Sequence, residues 1–391
     1  MKIMYSLPHP ADRLNGSGAG HTIRASKILA ALEKLGHQVI RLEAATENRT
    51  KTAVLAYRGI VKKFLPRPVA ERLRDAGRVT HGQRYGKRLI EAIKQTRPDV
   101  ILETHIAFSL AGKIAAEQTG LPLVLDDVTP PWEEEQQYGV GLKKVARDIH
   151  RQVTAQAELL IAVNKTMVQT LIQDGLPAQK IVIVENGIDG QLFHPQADGR
   201  EIRARYGLGR DEQVIVYVGS FQPFHRVDLL IQAFAQLKPT RPTRLLLVGQ
   251  GRHTAECQAL ARQLGLLERI TFAGLVPYEQ IPAYVAAGDM AVIPAHTGYS
   301  NPMKMYEYMA LGKAVVAPRQ QTITEVVSHN QNAYLFEPEN DQALATALQT
   351  VIDDGALRTR LGREAGRVAA NYTWEKRAES LQQALEQVGI G

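Results

Sequence analysis

The residues best placed to do chemistry lie in the run MAVIPAHTGYSNPMKMYEYMALGKAVVAP, from Met290 to Pro318. A short apolar run ends near Ala295 and a polar loop comes next. Asn301 is then expected to cap a helix whose first position is Pro302, a residue that gives up nothing there because that N–H has no helical partner. The amides of Met303 and Lys304 would be left free at the helix start, where free N–H groups and the helix dipole favour an anion such as a diphosphate. Lys304 goes against the preference for acids in a first helical turn, which makes sense if an anion binds beside it. Glu307, about one turn on, has the chemistry to accept hydrogen bonds from a ribose diol. A lysine and a glutamate on a helix are equally at home as solvated surface residues, so the surrounding strand–loop–helix–Gly312–strand unit carries the reading.

A second group lies in VYVGSFQPFHRVDLLIQAF. Gly219 and Ser220 end a strand, and Gly219 permits a tight turn and close approach of a ligand to the backbone. His225 and Arg226 precede the next helix and can bring positive charge to the same place, Arg226 at any relevant pH. A lone histidine is as readily structural. A third turn, VGQG, places Gly249 at another strand end without side-chain bulk. Near the start, NGSGAG includes Gly18 and Gly20 and leads into a helix. It fails the dinucleotide fingerprint, because His21 and Ile23 occupy the positions of the third glycine in the two available registers. A loop whose amides reach a ligand, or a plain turn, is what it offers.

These turns need strands and helices to hold them. KIMYSL, HQVIRLEA, DVILET, PLVLDD, ELLIAVN and KIVIVEN read as strands in the first half. QVIVYVGS, TRLLLVGQG, RITFAGLV, MAVIPA, AVVAP and NAYLFEP read as strands in the second. Between them run helices such as HTIRASKILAALEKLG, with Ile23, Ile28, Leu29 and Leu32 on one face and Gly36 as the stop. Alternation of this kind predicts an α/β protein with two Rossmann-like, doubly wound domains facing across a cleft. The domains are expected at 1–190 and 191–372, joined through the Gly- and Asp-rich run 186–200. A helix over 373–391 either caps the second domain or crosses back to the first.

At 391 residues the chain exceeds what one core usually supports, and 45% hydrophobic content excludes wholesale disorder. The single Cys257 can form no internal disulfide and belongs to no thiol cluster, which fits a reducing cytoplasm. No apolar run approaches the roughly 20 residues of a membrane helix. The net charge of +7 is concentrated in segment 49–97, where arginines and lysines greatly outnumber acids. This is either a solvated helical face or a patch that rests on anionic membrane or attracts a phosphorylated acceptor. Nucleic acid is not an expected partner, since neither aromatic interleaving nor a helix-turn-helix pattern accompanies the charge. No Asp-x-Asp element sits at a strand end, so no metal site is expected.

Taken together, the glycine loop, Gly36-His37-Val39, ENGID at Glu185–Asp189, VGSFQPFHRVDLLIQAF, LLLVGQG, ITFAGLVPYEQIPAYVAAGD and KMYEYMALGKAVVAP resemble the GT-B glycosyltransferases of family 4. The likeness covers nearly the whole chain. It implies a retaining transferase that moves a hexose-type sugar from a nucleotide diphosphate, with UDP the expected base and no further cofactor. The acceptor would carry hydroxyls: a sugar, an aminocyclitol, a glycolipid or another such molecule. The resemblance assigns donor binding to the second domain, with Val276 at the base through its backbone, Glu307 at the ribose, and Asn301–Lys304 with Gly18–Gly20 around the sugar. It places a histidine after the fourth strand of the first domain near the reacting carbon; His105 is the nearest match, and Thr104 takes that place if the register shifts by one. Asp127 and Trp132, near the end of PLVLDD, suit a hydroxyl-bearing acceptor or form an exposed loop. Tyr299 stands where many members have the first of two glutamates, Ser220 where a phosphate-binding arginine is common, His225 for a lysine, and Arg226 for a glycine. A non-catalytic nucleotide-sugar binder and an epimerase of the same architecture are the alternatives. The expected location is cytoplasmic, with the inner membrane face as a peripheral site.

Overall fold

A computed structural model describes residues 1–10, 12–14, 20–44, 66–126 and 129–391, except for the side chains of residues 134 and 136–138. The chain divides into two compact units, one of Met1–Glu185 with Arg377–Gly391, the other of Asn186–Lys376.

The first unit runs β1 (Lys2–Leu7), α1 (Gly20–Lys34), β2 (Gln38–Glu43), α2 (Arg67–Thr96), β3 (Val100–Thr104) and α3 (Ala111–Thr119). It continues with β4 (Leu123–Asp126), α4 (Pro131–Tyr138), α5 (Lys143–Gln156), β5 (Leu159–Ala162), α6 (Lys165–Gln173) and β6 (Ile181–Ile183). Its sheet is parallel, in the order β2-β1-β3-β4-β5-β6. Strand order reverses between β1 and β3, the point beyond which doubly wound sheets bind ligands.

The second unit contains α7 (Arg200–Arg205), β7 (Gln213–Val218), α8 (Val227–Ala235), β8 (Thr243–Val248), α9 (Thr254–Gln263) and β9 (Ile270–Gly274). Then come α10 (Ile281–Ala287), β10 (Met290–Val292), α11 (Met303–Ala310), β11 (Ala314–Pro318), α12 (Gln321–Thr324) and β12 (Tyr334–Phe336). The last helices are α13 (Asp341–Asp353), α14 (Gly355–Ala369) and α15 (Trp374–Gln387). This sheet, also parallel, has the order β12-β11-β10-β7-β8-β9, with its reversal between β7 and β10.

Both faces of the second sheet are buried, which explains why its strands read as unbroken apolar runs. Val214, Val216 and Val218 of β7 enter one core with Leu246, Ala291 and Val315. Ile215 and Tyr217, pointing the other way as the strand period requires, enter a second core with Leu245, Leu247, Met290 and Val292. The crossings between units fall at Glu185/Asn186 and Lys376/Arg377, against the 190/191 and 372/373 expected from sequence. The final helix therefore begins in the second unit and contributes most of its length to the first.

Candidate functional site

In the second unit the chemistry collects where strand order reverses. β7 delivers Gly219, β10 delivers the loop ahead of Asn301, and α11 starts immediately after. Lys304 is partly exposed as a residue, yet its Nζ is buried and has no hydrogen-bond partner. It lies 4.9 Å from the centre of the Tyr217 ring. Burial pulls its ammonium down to about 8, and the charge of Glu307 works against that shift. Gly219 makes room for it: a β-carbon there would stand 2.5 Å from Nζ and 2.8 Å from the Tyr217 hydroxyl.

Glu307 is buried, and Tyr278 donates a 2.9 Å hydrogen bond to its Oε1. Burial pushes its carboxyl up to about 7, opposed by that hydrogen bond and by Lys304. Val276, two residues before Tyr278, is half-buried against the same core. Gly249 packs so closely on the first turn that a β-carbon would run into the Gly219 carbonyl.

His225 is buried at the end of a 3₁₀ turn, with its ring 6.3 Å from that of His296 and nearly parallel to it. His296 joins it from the loop after β10, where the local sequence carries no signal for it. Its Nε2 lies 2.8 Å from Ser300 Oγ, and its basicity falls to about 3 through burial and the nearby Lys304. The same two causes depress His225, so neither ring brings positive charge while the site holds no anion.

Two expectations need correction here. Asn301 does not cap the helix: α11 begins at Met303 with Pro302 as its N-cap. Asn301 instead turns inward, Nδ2 donating to the Tyr306 hydroxyl at 2.9 Å, while its carbonyl accepts from Asn186 Nδ2 at 2.7 Å. Arg226, favoured for its permanent charge, adopts a left-handed backbone (φ 47°) and directs its guanidinium to Asp228 and Glu339. Two carboxylates thus answer its charge, whereas Lys304 has none within hydrogen-bonding reach. Ser220 is exposed and accepts from the Tyr217 hydroxyl through its carbonyl.

In the first unit Gly20 is the first residue of α1. Gly18 and Asp127 lie outside the described residues, as do residues 49–65 of the basic segment. His105 comes directly after β3, the third strand among the described residues, and its neighbour Thr104 is tied to the Tyr5 hydroxyl at 2.5 Å. His105 is buried, with Nε2 3.3 Å from His150 Nδ1 and Nδ1 without a partner. Burial and His150 hold its basicity down to about 3. Trp132 sets its ring edge-on to His150 at 5.6 Å, so the three rings form one row. The fourth strand itself ends on Asp126, whose carboxylate is closed off by Arg24 at 2.8 Å. Arg24 also donates to the carbonyls of Val184 and Glu185.

A separate cavity of about 910 Å³ opens at the opposite, amino end of β10 and β11, between Arg203, Lys313 and Arg358. It touches none of the residues above. Among the described residues no cluster of three metal-ligating side chains occurs.

Two family descriptions together take in most of the chain. "Glycosyltransferase Family 4" matches residues 19–192 and "Glycosyl transferases group 1" matches residues 198–368. The chain belongs to the family 4 glycosyltransferases. It is 26% identical over 300 residues to a D-inositol 3-phosphate glycosyltransferase of Acidothermus cellulolyticus, covering 72% of this chain and 66% of that protein. The match thus spans about two thirds of that relative's length. It is 28% identical over 257 residues to a GDP-mannose-dependent alpha-(1-6)-phosphatidylinositol monomannoside mannosyltransferase of Mycolicibacterium smegmatis, covering 63% of this chain and 67% of that one. The structure of Anabaena HepE in complex with UDP and glucose superposes with a TM-score of 0.76 at 21% identity, over 99% of this chain and 100% of that one. That likeness establishes the GT-B architecture of two Rossmann-like domains.

The second unit gathers most of these side chains at one end of its sheet. The residues it brings together, Gly219, His225, Lys304 and Glu307, are those the sequence pointed to. His296, Tyr278 and Tyr217 join them from places where the sequence carried no signal beyond their closeness to strand ends.

Proposed function

We propose that this protein is a retaining glycosyltransferase that takes a hexose from a nucleotide diphosphate sugar held by the second unit. The acceptor is a hydroxyl-bearing molecule such as an inositol phosphate or an inositol lipid. The observation that carries the reading is the buried, unpartnered ammonium of Lys304 at the start of a helix, where strand order reverses. A buried cation without an anion is costly, and a diphosphate supplies the missing charge. Glu307, one turn on, accepts from the ribose hydroxyls, and the backbone around Val276 faces the base.

Stabilising the leaving diphosphate and holding both substrates in place supply most of the rate acceleration in this scheme. The names of relatives support both UDP and GDP as donor bases, so both belong in the test. Purified protein is incubated with UDP-glucose, UDP-N-acetylglucosamine or GDP-mannose, with inositol phosphate or phosphatidylinositol vesicles as acceptor, and released nucleoside diphosphate is measured. Turnover is expected with one donor and to persist in EDTA, because Lys304 supplies the cation. Lys304→Ala and Glu307→Ala should each weaken donor binding by about ten- to a hundredfold, the range for a hydrogen bond to a charged group. Donor binding undiminished in both variants overturns the site. Saturable binding without turnover on any acceptor would leave a nucleotide-sugar binding protein.

A further inference from the structure

We propose that His225 and His296 complete, with Lys304, a three-nitrogen clamp on the diphosphate, and that the histidine pair binds it by taking up a proton. The proposal rests on the donor reading above and extends it to a residue, His296, and to a proton-linked mode of binding.

The Nδ1 atoms of both histidines and the Nζ of Lys304 are buried without hydrogen-bond partners. They converge from three elements, the turn after β7, the loop after β10 and the first turn of α11. Buried polar nitrogens are nearly always satisfied, so three orphans in one place call for a ligand. Main chain or side chains back both rings on the far side. His225 has the main chain of Ala295 close by, which favours a proton on its ring, and its Nδ1 has no partner. His296 uses Nε2 on Ser300 Oγ.

A neutral imidazole has one N–H and one bare lone pair, and a ring whose proton sits on Nε2 presents the lone pair at Nδ1. A lone pair repels a phosphate oxygen, whereas a proton on Nδ1 turns the same atom into a charged donor. Among the described residues no carboxylate supplies the counter-charge to either ring. Lys304 faces both rings and disfavours their protonation, His296 adds to that at His225, and Glu307 acts on Lys304. The Tyr217 hydroxyl is committed to Ser220, the Tyr308 hydroxyl to Val218, and Phe224 covers His225 with an apolar face. An arriving diphosphate reverses the balance by adding negative charge beside both rings, so a solvent proton moves onto Nδ1. As the sugar departs, that proton meets the charge developing on the leaving phosphate.

Linkage sets the sign. Protonation is rare in the free protein and favoured in the complex, so affinity is highest at low pH and falls as pH rises through the histidines' value in the complex. Calorimetric titration of the full chain with UDP-glucose and GDP-mannose, at about pH 7 in buffers of low and high ionisation enthalpy, reads the proton count. These donors carry no phosphate group that titrates near neutrality, and Lys304 is already charged there. Uptake of roughly half to one proton is expected, with Kd rising up to about tenfold per pH unit above neutrality. The double variant His225→Gln, His296→Gln should bind about tenfold or more weakly and lose most of the uptake; any remainder belongs to Glu307 or Lys304. Tight binding with identical heats in both buffers overturns the clamp while leaving the donor site intact. No binding of either donor by folded wild type overturns the donor reading itself.

Discussion

Glu307 keeps a carboxyl in a place where its charge is disfavoured, and this has a measurable cost. In the unfolded chain the group titrates near its ordinary value, while burial raises it to about 7 in the folded protein. The folded state therefore binds the proton more tightly, and stability is lost as pH rises from the ordinary carboxyl range through about 7. Glu307→Gln lacks that loss. Its thermal midpoint should equal that of wild type near pH 4 and exceed it at pH 8, as scanning calorimetry across pH can show. A wild type as stable as the variant at pH 8 would mean the carboxylate is better solvated than the structure indicates. The same substitution should weaken donor binding, since an amide accepts less strongly from the ribose than a carboxylate. Gained stability paired with lost affinity is the pattern of a residue kept for binding.

At the scale of elements, two glycines decide whether Lys304 has room. Gly219 (φ 157°) and Gly249 (φ 128°) take backbone conformations that side chains rarely adopt, and each lies against a neighbour. Gly249→Ala should cost about 1–3 kcal/mol from backbone strain alone, with more from the collision at Gly219, measurable by denaturant unfolding. Gly219→Ala should shift Lys304 and weaken donor binding by more than its loss of stability explains. The strands that hold these turns were legible because each is a β-branched, apolar run bounded by turn residues. The twelve runs read as strands coincide with β1–β12. The partners were harder to see. Tyr278 and Glu307 are 29 residues apart, Arg24 and Asp126 are 102 apart, and topology alone brings them together. The helix α11 starts one residue later than the sequence suggests because Asn301, which has the chemistry of a cap, is drawn inward by Tyr306 one turn on. Likewise, Arg226 looked like the freer cation because nothing in its local sequence reveals Glu339.

On the scale of the whole molecule, the excess positive charge has a described location at the start of α2. Val69 and Leu73 there are exposed, as is Val145 on α5, together with Arg72, Lys144 and Arg147. Asp75 ties the two helices, accepting from the amides of Gly141 and Leu142. No helix among the described residues is long and apolar enough to cross a membrane. Apolar side chains ringed by cations suit the surface of an anionic bilayer. The protein should float with phosphatidylglycerol vesicles and not with phosphatidylcholine vesicles. Val69→Asp with Leu73→Asp should abolish flotation while a soluble acceptor is still glycosylated. Equal flotation with both lipids would remove the electrostatic argument.

The backbone passes between the units twice, and the two passages lie side by side. Ile188 donates to the Tyr372 carbonyl and Trp374 donates back to the Ile188 carbonyl, with Gly187 bare because the Trp374 indole occupies the space a side chain would need. Such a double strap resists scission. A protease cutting near Asn186 would leave two fragments still joined through α15, because the final helix begins beside the first crossing and then delivers the last fifteen residues to the opposite half.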